Sequence, residues 1–214
     1  VFTSLALLLF GTVVIFLLER NHSFFELNQV EAVIMSFFQS ASARTAGFNT
    51  VDIGQLRAPT LIVIIFLMFV GASSGSIGGG IKTSTFYLII ASVAATLRGQ
   101  QRIEIGRRFI PKEMLFKALS IFFFAATLNL IGIFTLSITE PNLNLIDLTF
   151  EQVSAFGTVG YSTGITALLS PASKWVIIVS MFLGRVGILT FAIALSNRTA
   201  TTSYKYPKAY LMIG

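Results

Sequence analysis

The sequence contains no cysteine, one histidine (His22) and one tryptophan. Without cysteine there is no disulfide framework, and with His22 alone neither a His-rich metal centre nor a Ser-His-Asp triad can be assembled. Charged residues are scarce as well: they make up 11% of the 214 residues, against about 25% in an ordinary globular protein. A secretory leader is also missing from the reading. Val1 lies inside an apolar run with no basic n-region and no small-residue cleavage site, so no signal peptide is expected and the start reads as a truncation.

What is present is apolar: 54% of residues are hydrophobic, 21 are phenylalanine, and the mean hydropathy is +0.82. This composition predicts an all-α membrane protein. The net charge of +6 would suggest nucleic acid in a soluble chain. Here the basic residues gather in two places, Arg98, Arg102, Arg107, Arg108 and Lys112 between apolar segments and Arg198, Lys205 and Lys208 at the end. That pattern follows the positive-inside rule, and no nucleic-acid partner is expected.

A hydrocarbon core of about 30 Å takes about 20 helical residues to cross. Residues 1–18, 115–138 and 172–195 are each sufficient, the last containing Arg185. A fourth tract, 60–97, is interrupted by GASSGSIGGGIKTST, and neither of its apolar flanks, 60–70 and 86–97, spans alone. Segments 28–44 and 147–157 are too short to cross, and each runs into a hydroxyl-rich stretch containing glycine, the pattern of re-entrant pore helices. Asn28 and Glu31 form a capping-box sequence for the first, and Asp147 is the expected cap of the second.

Sliding the chain on itself by 113 residues brings Phe37 onto Phe150, Gln39 onto Gln152, Thr45 onto Thr158, Gly47 onto Gly160, Met68 onto Met181 and Gly71 onto Gly184. The matches cluster at the pore-segment glycine and in the following helix, which indicates duplication. Two membrane-pore-membrane repeats are therefore expected, over residues 1–100 and 111–214.

The chemistry rests on three places. The first is the pair of loops Thr45, Ala46, Gly47, Phe48, Asn49 and Thr158, Val159, Gly160, Tyr161, Ser162. A cation crossing lipid must exchange water for oxygens, and backbone carbonyls can provide them where glycine lets the chain turn them inward. The threonine hydroxyls can add to these, and the C-terminal ends of the pore helices favour a cation.

The second place is the glycine-rich break, with Gly71, Ser73, Ser74, Gly75, Gly78, Gly79, Gly80, Lys82 and Thr83. Its Gly75-x-x-x-x-Gly80 spacing before Lys82 invites a nucleotide-binding loop, but Ile81 separates glycine from lysine and no strand precedes it. Irregular backbone at membrane depth has to face protein or water, so the break reads as a movable polar plug below the filter. The third place is Arg185, costly at a helix centre and level with the break in the 113-residue register. It is expected to anchor the loop and to act as a barrier to cations. Arg44 and Glu151 are expected to brace the loops, and Glu19, Glu26, Glu31, Asp52 and Glu140 to form a solvated acidic face.

SARTAGFNTVD (42–52), GASSGSIGGGIKTSTF (71–86) and SAFGTVGYSTGIT (154–166) together resemble the second half of the Trk/Ktr/HKT superfamily of potassium transporters, most nearly a KtrB-type membrane subunit. The resemblance implies four repeats around one pore, of which this chain provides the last two, and makes the glycine-rich break a gate. It further implies potassium uptake without enzymatic chemistry or a cofactor, sodium as a modulator, a KtrA-type cytoplasmic nucleotide-binding ring as partner, a homodimer, and residence in the plasma membrane. One alternative is a two-repeat channel subunit that dimerises to complete the pore. Another is a nucleotide-binding membrane enzyme built on the glycine-rich loop.

Overall fold

The computed structural model describes residues 2–73, 75, 76, 78–99, 104, 105 and 108–187. Seven α-helices follow one another: α1 (Phe2–Glu19), α2 (Gln29–Ser42), α3 (Ala58–Phe69), α4 (Thr83–Leu97), α5 (Lys112–Thr139), α6 (Leu145–Gly157) and α7 (Pro171–Val186). Between α4 and α5 lies the only strand pairing among the described residues, an antiparallel pair of two-residue strands, β1 (Glu104–Ile105) and β2 (Arg108–Phe109), in register Glu104 with Phe109.

Among the described residues two helices, α1 and α5, are long and apolar enough to cross a membrane, with mean hydropathies of 2.2 and 2.1. At 1.5 Å per residue they are about 27 and 42 Å long. The expected third span, 172–195, is not one helix. It stops at Val186, where Gly187 turns into a positive φ of 84°, and residues 188–195 lie outside the described residues. The stop comes at a glycine whose positive φ no helix can continue, after a basic residue in the last turn that complements the helix C-terminus. The interrupted tract behaves as expected, since α3 ends at Phe69 and α4 begins at Thr83.

Local sequence accounts for the helix starts. Asn28 caps α2 in a complete capping box with Glu31. Proline in the first turn and a serine N-cap, Ser170, start α7. The N-cap of α6 is Asn144, not the expected Asp147, which sits in the first turn where its charge favours the helix N-terminus.

One core joins Ile15 of α1, Ile64, Leu67 and Met68 of α3, and Phe150 and Val153 of α6. Helix α6 contributes to this core and to two smaller clusters, buried at Leu148 and at every position from Phe150 to Gly157 and packed against α3, α5 and α7. Its counterpart α2 packs chiefly on α1 and is open on one side. The same residue type shows the difference: Phe150 is 0% exposed, whereas Phe37 is 47% exposed. The second helices differ in the same sense, with Met68 of α3 at 0% and Met181 of α7 at 46%.

Candidate functional site

Helices α2 and α6 end on two loops that approach one another. Thr45 (φ 76°) and Thr158 (φ 52°) are the only described non-glycine residues with positive φ, and two positions on, Gly47 (φ 74°) and Gly160 (φ 96°) are left-handed too. A β-branched residue in that region costs about 1–3 kcal/mol and persists only where its surroundings enforce it. Each loop thus passes through two positive-φ residues with a negative φ at Ala46 or Val159 between them. A Cβ on Gly160 would lie 3.7 Å from the Gly47 Cα, so the two glycines face each other across van der Waals distance.

The segments behind the glycines are tied back. Ser42 donates its hydroxyl to the Phe48 carbonyl, and Ser154 to the Tyr161 carbonyl. Tyr161 also donates its phenol hydroxyl to Gln39 Oε1 at 2.5 Å, linking the second loop to the first pore segment, and stacks on Phe150. Glu151, 5% exposed, accepts from the Ser162 hydroxyl, the Thr163 amide at 3.2 Å and the Thr166 hydroxyl at 2.9 Å. Asn49 bonds only locally, donating to the Val51 carbonyl at 3.2 Å.

Directly against these loops lies the break between α3 and α4. It doubles back so that the Ile81 amide reaches the Phe69 carbonyl at 3.1 Å and the Thr83 amide reaches Ala72 at 3.3 Å. Ile81 is its anchor, buried with Ala125 of α5 and Phe156 of α6. Added methyl groups on Gly78 and Gly79 would come within 2.7 Å of Thr45 Oγ1 and 2.8 Å of Thr158 Oγ1. The Gly79 amide donates to that Thr158 hydroxyl at 2.9 Å. Lys82 Nζ donates to the carbonyls of Ser76 (2.8 Å) and Gly78 (2.6 Å), so the loop's own oxygens hold its ammonium. Ser73 meets Ser4 of α1, hydroxyl to hydroxyl, at 2.8 Å. Gly71 faces the Gly79 backbone, and Gly75 and Gly80 adopt positive φ. Ser74 falls outside the described residues, as do Arg102, Arg107, Arg198, Lys205 and Lys208 of the basic clusters.

Arg185 does not sit at a helix centre. It occupies the last turn of α7, where a cation complements the helix C-terminus. It lies near enough to Lys82 for the two charges to interact.

The braces behave unequally. Glu151 holds three groups, while Arg44 sends Nη1 to the Ser4 carbonyl of α1 at 2.5 Å. The acidic face is corrected at Glu19, which is wholly buried at the end of α1 and accepts from the Arg57 amide at 3.0 Å and from the Thr60 hydroxyl. Glu140, at the end of α5, does the same for α7, accepting from the Ser170 amide (2.7 Å) and the Ser173 hydroxyl (2.7 Å). The Ser170 amide, more than any other group, holds the Glu140 carboxyl below the ordinary carboxylate range. Arg57 and Ser170 are N-caps of α3 and α7, so the two acids clamp the two repeats alike. Glu31 and Asp52 are cap residues as well.

No group of three or more His, Asp or Glu side chains suited to a metal ion occurs among the described residues. The oxygens available to a cation are instead hydroxyls and backbone carbonyls of the two loops.

The family described as TrkH, cation transport protein, matches residues 1–204. Similar proteins include Ktr system potassium uptake protein D of Bacillus subtilis, 42% identical over 98% of this chain and 46% of its own length. Ktr system potassium uptake protein B of Vibrio alginolyticus is 40% identical over 97% and 46%, respectively. The potassium/sodium uptake protein NtpJ of Enterococcus hirae is 38% identical over 98% and 48%. The chain thus spans about half the length of the curated relatives it matches. The fold is similar to that of the crystal structure of the potassium transporter TrkH from Vibrio parahaemolyticus, with a TM-score of 0.76 at 23% identity, covering 91% of this chain and 43% of the other.

Proposed function

Because the chain belongs to the TrkH family of cation transport proteins, we propose that it forms half of the ion-conducting subunit of a potassium uptake system. In this reading residues 1–100 are one membrane-pore-membrane repeat, with α1 as outer helix, α2 as pore helix and the broken α3–α4 as inner helix. Residues 111–214 are a second, with α5, α6 and α7 in the same roles. The observation that carries the reading is the pair of left-handed Thr-x-Gly turns at 45–47 and 158–160, facing each other at the ends of two short helices. Such turns align carbonyl oxygens that can replace the water shell of a potassium ion.

The break at 71–83 is the gate of this pore, and Arg185 is its electrostatic barrier. The loop lies against both filter threonines and hydrogen-bonds one of them, and Arg185 lies within electrostatic reach of the loop's lysine. The filters face the cell exterior and the basic segment around Arg98 to Lys112 the cytoplasm of a cell whose plasma membrane holds the protein.

The open sides of α2 and α7 are complementary to one another in the way that α6 and α3 already pair. Two further repeats of the same kind, covering Phe37 and Met181, would close the ring. A second copy of this chain covering the same faces is the alternative. The names of the relatives support a Ktr-type system; a nucleotide-binding cytoplasmic ring as regulator, a homodimeric membrane subunit and sodium as a modulator are further parts of the proposal.

Rubidium uptake by the full-length protein in liposomes tests the reading. Uptake competed by potassium, with no nucleotide bound by the membrane subunit, is expected. Nucleotide binding to the membrane subunit without rubidium flux would replace the transporter by a nucleotide-binding enzyme.

A further inference from the structure

We propose that Ser42 and Ser154 are specificity-determining residues that fix how many carbonyl oxygens each loop presents to the permeating cation, an inference that rests on the filter reading above. Ser42, in the last turn of α2, donates its hydroxyl to the Phe48 carbonyl at 2.5 Å, and Ser154 of α6 donates to the Tyr161 carbonyl at 2.6 Å. Both serines are 3% exposed. Phe48 follows Gly47 and Tyr161 follows Gly160, so in each loop the claimed carbonyl is the first one beyond the filter glycine.

A carbonyl bonded to a buried hydroxyl on the helix behind its loop points away from the space that the loops share. It cannot replace a water on the ion from there. The carbonyls of Thr45, Ala46 and Gly47, and of Thr158, Val159 and Gly160, meet no hydrogen-bond donor among the described residues. Each loop therefore leaves three consecutive oxygens without a donor and ties back the fourth.

The same serines hold the loops at their other end. The Ser42 carbonyl accepts the amides of Ala46 and Gly47, each at 3.1 Å, and the Ser154 carbonyl accepts the Val159 amide at 3.0 Å. One residue thus staples both ends of the turn, its main chain taking the entry and its side chain the exit. Discrimination of potassium from the smaller sodium depends on the number and field of coordinating oxygens. Freeing the fourth carbonyl changes both. The chemistry that recognises the ligand is that of a monovalent cation stripped of water; the serines touch the carbonyl, not the ion, and act as positioning residues.

The test compares the full-length protein with Ser154→Ala, Ser42→Ala and the control Ser36→Ala. The control removes a buried hydroxyl of α2 that bonds only within the helix, to the Ala32 carbonyl. The readout is the ratio of potassium to sodium needed to compete rubidium uptake, at equal membrane abundance. The preference for potassium is expected to fall about five- to tenfold in Ser154→Ala and Ser42→Ala, the scale of one hydrogen bond, and to stay at the parental value in Ser36→Ala. A parent without potassium-competed flux would remove the filter reading itself. A selective parent whose two loop-serine variants keep the parental ratio would overturn this inference alone. If Ser154→Ala fails to accumulate, Ser42→Ala decides; if neither accumulates, the serines are folding residues and the inference is wrong.

Discussion

The Gly79 amide donates to the Thr158 hydroxyl at 2.9 Å, so the middle of the helix break is bonded to one of the two threonines that carry a left-handed turn. That hydroxyl is an oxygen a cation at the inner end of the filter would use, and the proposed gate occupies it. Replacing Thr158 by Val keeps the β-branched shape and removes the acceptor. Basal rubidium flux is expected to rise about fivefold, the equivalent of one hydrogen bond of about 1 kcal/mol. Basal flux at the parental level would mean that this contact does not hold the loop.

Shortening the break by removing residues 76–79 while keeping α3 and α4 is expected to raise basal flux further and to weaken control by the proposed cytoplasmic partner. Flux that remains low and regulated would reduce the break to a passive kink in a helix.

Arg185 acts from the last turn of α7. Arg185→Gln retains hydrogen-bonding capacity but removes the charge, so flux is expected to increase; Arg185→Lys keeps the charge without the planar fork and is expected to be intermediate. Equal flux from both variants and the parent, at equal abundance, would leave Arg185 a residue that only serves its helix end.

Glu19 bonds the first turn of α3 across 38 residues of sequence. Glu19→Ala leaves the Arg57 amide and the Thr60 hydroxyl without their acceptor, and a loss of about 2–3 kcal/mol of stability is expected. Thr60→Val should cost about 1 kcal/mol. Thermal unfolding in detergent measures both; Glu19→Ala melting with the parent would show that the clamp carries nothing.

Glu140 gives this clamp a pH dependence. Its carboxyl is held below the ordinary value of 4.5, first by the Ser170 amide. A folded value lowered in this way contributes stability that is complete above 4.5 and is lost as pH falls through the folded value. The melting temperature of the parent is therefore expected to drop toward that of Glu140→Gln on acidification, with the gap between them closing below pH 4.5. A gap independent of pH would contradict the assignment.

Much of this was legible in the residues. Asn28 with Glu31 marked the start of α2, the glycines of 71–80 marked the break, and the 113-residue spacing paired the two threonines that share a left-handed turn. One spacing could not serve the whole repeat, however. Gly11 and Gly132, each closed in by a pore-helix side chain, and Glu19 and Glu140, the two clamps, lie 121 apart. The connection into α2 is nine residues and that into α6 five, and the run from the start of α2 to Thr45 is three residues longer than that from the start of α6 to Thr158, so α1 and α5 are out of step with the two turns and the clamps stayed hidden. Ser42 and Ser154 are 112 apart, because Ser42 lies three positions before Thr45 and Ser154 four before Thr158, and they escaped the same spacing. The end of α7 carried a readable signal, Arg185 followed by Gly187, that the long apolar run obscured. Exposure had none, since Phe37 and Phe150 are the same residue and only the neighbouring helix separates them.

The most direct test is the ion selectivity of Gly160→Ser in the full-length protein. Gly160 has a φ of 96°, where a side chain is strained, and its loop packs against Gly47, so the substitution should disturb carbonyl alignment in both loops. Rubidium uptake is measured against competing potassium and sodium, in cells lacking other potassium uptake systems. The expected result is a parent that prefers potassium and a variant that still transports cations but has lost most of that preference. A variant that keeps the parental preference would mean that Gly160 is a turn behind a short helix and not part of a filter.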